Sequence, residues 1–253
     1  MRLALVVEYD GTEYKGFQYQ ANAPSIQEEI EKAVEKLTGE PVRVSGAGRT
    51  DAGVHALGQV VSFRTSSRHP VETFVKALNF HLPDDIAIKS GWLADNGFDP
   101  RRHALSRRYR YTIGKSASRS PLMRRTAHVM NVEDDLDLEA MTAALRLLEG
   151  RHDFARFAGP VDGGGSTERV ILEASLHDGC DRVTFDFEGN AFLPHQVRRM
   201  VGSVVDVGKG KITLGQLGKM IEGEDIAVSH SLPPEGLCLV SVKYEESQDK
   251  GEE

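Results

Sequence analysis

Gly46-Ala47-Gly48-Arg49-Thr50-Asp51-Ala52-Gly53-Val54-His55-Ala56 stands between two runs of strand character, Val42–Ser45 and Gln59–Arg64. Three glycines within eight positions surround one arginine and one aspartate. Glycine lacks the Cβ that closes off positive φ, so such a turn can bend sharply or press its backbone against a ligand. A rigid loop that displays the carboxylate of Asp51 beside the guanidinium of Arg49 reads as a device for holding that carboxylate for chemistry. The competing reading is a tight surface turn with an incidental salt bridge.

Outward from this loop, the N-terminal half reads strand, helix, strand, loop, strand, helix, strand. Leu3–Tyr9 is apolar and β-branched. Ser25-Ile26-Gln27-Glu28 has a capping-box pattern, and Ile26, Ile30, Ala33, Val34 and Leu37 follow the helical period up to Gly39. A second helix is expected over Val71–Phe80, stopped by Pro83, and a strand over Ile86–Leu93. The C-terminal half repeats the grammar more loosely. Arg107–Ile113 alternates as a strand, Leu136–Leu148 is an amphipathic helix closed by Gly150, and Val170–His177 with Arg182–Glu188 form a hairpin around Asp178-Gly179. Val197–Val207 and Gly215–Ile221 read as helices, and Leu237–Tyr244 as a closing strand.

The economical fold is α+β, two related α/β halves sharing a large, mostly antiparallel central sheet flanked by helices. Residues 1–105 form the half with the aspartate loop and residues 106–244 the second half. The acidic segment 245–253 and the loop Gly163-Gly164-Gly165 are expected to be mobile.

The 253 residues are 40% apolar and 27% charged, as in ordinary soluble domains. Apolar runs fall short of the roughly 20 residues that span a bilayer, and the acidic start after Val7 does not suit a signal peptide. Two widely spaced cysteines, Cys180 and Cys238, fit a reducing cytoplasm and no cysteine metal site. The net charge of −7 speaks against a polyanion partner only on average. Nine Lys/Arg and no Asp/Glu lie between Pro100 and Arg125, so the remainder sums to −7 − 9 = −16. A polyanion needs a local basic face, not a basic whole.

Familiar sites fail on inspection. Gly46-x-Gly48 would need a third glycine where Asp51 stands, and neither a Walker A pattern nor a G-x-S-x-G elbow occurs. The nine histidines show no metal-ligand spacing. One carboxylate, several arginines and a few aromatics remain. Strand alternation puts Tyr109, Tyr111 and Ile113 on one face, and Arg108, Arg110 and Thr112 on the other. Tyr109, amid five arginines between Arg101 and Arg110, is a candidate for stacking on a base. On the helix Val197–Val207, Arg198 falls at the edge of the apolar stripe while Arg199 points nearly opposite. A guanidinium there needs a carboxylate or carbonyl partner, and Asp51 is chemically suitable. Phe192 and His195 precede that helix at the same rim.

Together these residues resemble the tRNA pseudouridine synthase A family. Gly48-Arg49-Thr50-Asp51-Ala52-Gly53-Val54-His55 is similar to its signature, with Asp51 in the place of the catalytic aspartate. Glu8-Tyr9-Asp10-Gly11-Thr12, with Tyr14 and Gly16-Phe17-Gln18, resembles its opening segment. Arg107-Arg108-Tyr109-Arg110-Tyr111 resembles its second motif, with Tyr109 in the place of the active-site tyrosine. Phe192-Leu193-x-His195-x-Val197-Arg198 resembles its third, and Gly236-Leu237-x-Leu239-Val240 its closing strand. The resemblance covers roughly residues 1–244. Gln196 replaces a common methionine, and Phe17 a common tryptophan.

The resemblance implies isomerisation of uridine to pseudouridine in the anticodon stem-loop of tRNA, at nucleotides 38, 39 and 40, by a cytoplasmic homodimer without cofactor or metal. A uridine inside a stem must be flipped out, at a cost of a few kcal/mol. Arg49 is expected to fill the vacated stack. Arg107, Arg108, Arg110, His55, Phe192 and His195 would contact the RNA, Tyr109 would stack on the uracil, and Leu237 would pack on its other edge. Asp51 attacks C1′ or C6, or removes the C2′ proton, and Arg198 favours its ionised form. A non-enzymatic RNA-binding module and a hydrolase using Asp51 as a base are the alternatives.

Overall fold

The computed structural model describes residues 1–130, 136–160, 165–226 and 228–245. Gly163, Gly164 and the tail from residue 246 lie outside the described residues, so the mobility expected of them is not addressed. Among the described residues there are ten strands and five α-helices, an α+β chain. They group into two compact units, divided between Arg107 and Arg108 and again between Cys238 and Leu239.

In the N-terminal unit, β1 (Arg2–Tyr9) is followed by α1 (Ile26–Thr38), β2 (Ser45–Gly46), β3 (His55–Arg64), α2 (Val71–His81) and β4 (Ile86–Ala94). β1 lies between β3 and β4 and pairs antiparallel with both. A strand paired on both sides is apolar along its centre, where Leu3, Ala4, Leu5 and Val7 are fully buried. Leu3 pairs with Phe63, whose ring lies 6.1 Å from that of Phe74 on α2. Complete burial of each such ring contributes about 1.5–3 kcal/mol. Ala4, Val60 and Trp92 join Ala47, Phe98 and Tyr244 in a second cluster.

α1 begins where Ser25 accepts the N–H of Glu28 at 3.3 Å and ends at Gly39, whose φ of 74° lets its N–H reach Glu35 at 2.8 Å. The strand expected over Val42–Ser45 is reduced to Ser45–Gly46. Its backbone is claimed by α1 instead: the N–H of Val44 donates to Glu31 at 2.9 Å, and the Val44 carbonyl accepts from Gln27 at 3.1 Å. β3, by contrast, starts four residues earlier than expected, because Ala56 pairs with Tyr9.

In the second unit, β5 (Ser106–Lys115) leads to β6 (His128–Met130), α3 (Leu138–Leu148), β7 (Gly150–Asp153), β8 (Glu168–Asp178), β9 (Arg182–Gly189), α4 (Gln196–Gly208) and α5 (Leu214–Ile221). β7, β8 and β9 form an antiparallel run, and β6 adds parallel to β5. β6 and β7 are too short to carry a period and were not legible. The hairpin turn closes where Gly179 donates to Arg182 at 2.8 Å. α3 is capped by Asp137, which accepts the N–H of Ala140 at 2.8 Å. Its buried face, Met141, Ala144, Leu145 and Leu148, meets α4, where Gly208 leaves no room for a Cβ beside Met141. The last strand, β10 (Leu237–Lys243), belongs from Leu239 onward to the N-terminal unit, beside β3.

Candidate active site

Asp51 is half-buried in a loop whose backbone is tied down at nearly every residue. The N–H of Ala47 donates to Val60 at 2.8 Å, Phe17 donates to the Thr50 carbonyl at 3.1 Å, and Gly53 donates to Tyr14 at 3.3 Å. The N–H of Val54 returns to the Asp51 carbonyl at 3.2 Å, closing the turn. Side chains beneath do the same work. Gln59, fully buried on β3, donates to the Gly48 carbonyl at 2.9 Å, and Tyr9 and Thr50 share a hydroxyl hydrogen bond of 2.8 Å.

Residues 9–17 form the floor of this loop. Gly16 has φ of +100°, and a Cβ there would stand 2.7 Å from the Thr50 carbonyl oxygen. The Phe17 ring covers Gly46 at 2.6 Å from where a Cβ would be. Tyr14 donates its phenol to Asp85 at 2.7 Å, and burial, reinforced by that carboxylate, raises its pKa well above the ordinary tyrosine value.

Two residues expected to touch RNA are turned inward. His55 is buried, and its Nδ1 accepts the N–H of Gly11 at 3.1 Å. The Asp10 carboxylate lies 3.2 Å from the same Nδ1. Arg107 is 7% exposed and donates to the carbonyls of Ala47 at 2.9 Å, Ala104 at 3.3 Å and Arg101. Both therefore brace the loop. Facing inward on β5, Arg107 shares the buried face of Tyr109, as strand alternation requires. Arg49 stays exposed, with its Nε on Gln18 at 3.1 Å.

In the second unit, Tyr109 is buried and meets the edge of Phe192, ring centroids 5.1 Å apart at 79°. Such T-shaped pairs fix a ring plane and add about 0.5–1.5 kcal/mol. Arg198 stands at the rim of the α4 core as expected, and its Nε donates to the Leu232 carbonyl at 2.6 Å. Leu237 is buried, following Gly236, which lies against the Tyr111 ring. His195 is the N-cap of α4 with φ of 62°, the one non-glycine residue at positive φ among the described residues. Its Nδ1 lies 3.3 Å from the Ser231 hydroxyl. Backbone strain of this kind, on the order of 1–3 kcal/mol, gathers at functional sites.

Sequence reading missed Asp186. Its carboxylate is buried, receives Nε and Nη2 of Arg110 at 3.1 and 3.0 Å, and lies 3.5 Å from Arg108. The basic face of β5 is thus anchored, and its two arginines are held as a fixed pair. The signal was present: Phe185-Asp186-Phe187 places a charge in a buried strand. Gln59 gave a similar one, a polar residue inside the apolar run of β3. Replacing Gln59 with leucine removes the donor to the partly buried Gly48 carbonyl, so a loss of about 1 kcal/mol is expected in urea denaturation.

The model of the tRNA pseudouridine synthase family matches residues 5–92 and 144–245. The chain is 42% identical over 249 residues to tRNA pseudouridine synthase A of Roseiflexus sp. (strain RS-1), covering 96% of this chain and 91% of that one. It is 42% identical over 243 residues to the protein of the same name from Geobacter sulfurreducens, covering 96% and 99%. With that of Acetivibrio thermocellus it shares 43% over 242 residues, covering 95% and 98%.

Proposed function

The chain belongs to the tRNA pseudouridine synthase family, and from that premise we propose that it isomerises uridine to pseudouridine in the anticodon stem-loop of tRNA, at nucleotides 38, 39 and 40. Membership makes it an isomerase acting on tRNA. The observation that carries the finer reading is the immobilised loop around Asp51. A surface turn needs no buried glutamine, tyrosine hydroxyl and arginine beneath it, whereas a catalytic carboxylate must be held within a fraction of an ångström.

The N1–C1′ bond breaks, the uracil turns within the site, C5 bonds to C1′, and the C5 proton is lost while N1 gains one. Asp51 attacks C1′ or C6, or removes the C2′ proton; each route needs its carboxylate ionised. In this reading Arg198 acts as the partner of Asp51, Tyr109 stacks on the base and receives the C5 proton, and Leu237 bounds the opposite edge. Arg49, exposed on the same loop as Asp51, fills the stack that the flipped uridine vacates. The working enzyme is a cytoplasmic homodimer in this reading, which sedimentation of the purified protein would check. Carbodiimide-primed reverse-transcription stops on an unmodified tRNA transcript test the positions. Stops at nucleotides 38–40 are expected after incubation with the protein, and their absence would refute the assignment.

Arg49→Ala is expected to lower the rate on a stem uridine by about 10–100-fold, the scale of losing a few kcal/mol of support for the flipped state. The same substitution should matter far less on a single-stranded RNA, where nothing has to be unstacked. Single-turnover rates on the two substrates would separate these outcomes.

A further inference from the structure

We propose that the second unit carries a phosphate pocket, lined by Arg156, His195, Arg199, Ser229, His230 and Ser231, that takes one phosphodiester of the RNA backbone. The pocket is a cavity of about 440 Å³, within the range of small-ligand sites. Its walls come from the 3₁₀ turn Ala155–Phe157, the first turn of α4 and residues 228–231. Two guanidiniums, two imidazoles and two hydroxyls line it, together with Ala155, Ala158 and Val228, and no carboxylate does among the described residues, although the Ser229 hydroxyl donates to Asp206 behind it at 2.5 Å.

The donors are set in place before any ligand arrives. Arg199 is pinned by its bond from Nη1 to the Ala158 carbonyl. Arg156 spends Nη2 on the Ile226 carbonyl at 2.9 Å and on Asp225 at 2.7 Å, the latter carboxylate being almost wholly solvated. Its Nε is buried and has no acceptor among the described residues. The positive φ of His195 sets its ring against Gly159, where a Cβ would stand only 3.1 Å from the ring. α4 begins there with no side-chain cap, so the positive end of its dipole adds to the same field.

The donor set selects the ligand class. Cationic and hydroxyl donors dominate the lining, whose apolar part is two alanines and a valine. An oxyanion suits arginine forks and hydroxyls. The choice of RNA phosphate over free phosphate rests on the reading that this chain acts on tRNA: the same first turn of α4 that offers Arg199 also carries Arg198, and His195 belongs to the motif shared with Phe192.

Equilibrium binding of a fluorescent anticodon stem-loop RNA, titrated over a range of potassium chloride, tests this. Arg156→Gln and Arg199→Gln should each weaken binding about tenfold and reduce the slope of log K against log salt by about one. His230→Glu puts a carboxylate at the rim without removing a packed side chain, since His230 is exposed, and should weaken binding in the same direction. An unchanged slope in all three folded variants would overturn the pocket, even if the wild type proves to make pseudouridine. Failure of the wild type to bind or modify RNA would instead overturn the tRNA reading. A thermal midpoint raised by inorganic phosphate at constant ionic strength in the wild type but not in Arg199→Gln, with RNA affinity equal in both, would assign the pocket to free phosphate and reject the RNA role.

Discussion

Asp51→Asn is expected to abolish pseudouridine formation, a fall of at least about 10³-fold in single-turnover rate, while RNA affinity stays within about threefold. Asparagine keeps the size of the side chain and removes its charge. The loop backbone is held by its own hydrogen bonds and by Gln59, Tyr9, Thr50 and Arg107, all of which the substitution leaves in place. Single-turnover kinetics with excess protein, beside a binding isotherm for the same variant, separate the two quantities. Loss of binding in parallel with rate would make Asp51 a structural residue, and an unimpaired rate would remove it from the chemistry altogether.

Gly16→Ala has the next largest expected effect, and it acts through geometry alone. The residue sits at φ of +100°, and its new Cβ would meet the Thr50 carbonyl at 2.7 Å and the carbonyl carbon of Asp51 at 3.3 Å. Either the turn or the aspartate loop must move. A displacement near 1 Å at a reacting group costs about 10²-fold in rate, so kcat should fall by that order with RNA affinity preserved. Stability should fall by about 1–3 kcal/mol. Gly39→Ala is the matching control: φ is 74°, but nothing lies within 4 Å of the added atom. It should cost about 1 kcal/mol and leave the rate untouched. Equal losses of rate in both variants would show that general destabilisation, and not loop placement, governs activity.

The elements with a strong period were legible from composition and spacing. α1 was bounded by a serine cap and a glycine stop: Ser25 accepts the Glu28 N–H, the first of the two bonds of a capping box, and Gly39 closes the helix. α4 and the β8–β9 hairpin were found within a residue or two. What failed was competition for hydrogen bonds. Val42–Val44 has strand composition, yet Glu31 and Gln27 of α1 take its backbone groups. Nothing local to a six-residue window reports that.

The site shows the same division. The order of motifs pointed to Asp51, Tyr109 and Arg198, and their types fitted a chemistry. Which way a side chain faced was harder. Arg107 and His55 look like cations ready for phosphate, and both are folded inward to hold backbone. For Arg107 the alternation along β5 already contained the answer, because a residue two before a buried tyrosine shares its face. For His55 it did not, since its partner Gly11 lies 44 residues away. Arg108 and Arg110 do face outward, but their geometry is set by Asp186, 76 residues beyond Arg110.

The most direct measurement uses tRNA carrying 5-tritiated uridine, with release of tritium to water followed beside nucleoside chromatography of the digested RNA. The wild-type protein is expected to release tritium in step with pseudouridine formed and with no free uracil, and Asp51→Ala to do neither while still binding. Binding without release by the wild type would reduce the protein to an RNA-binding module, and free uracil with abasic tRNA would make it a hydrolase.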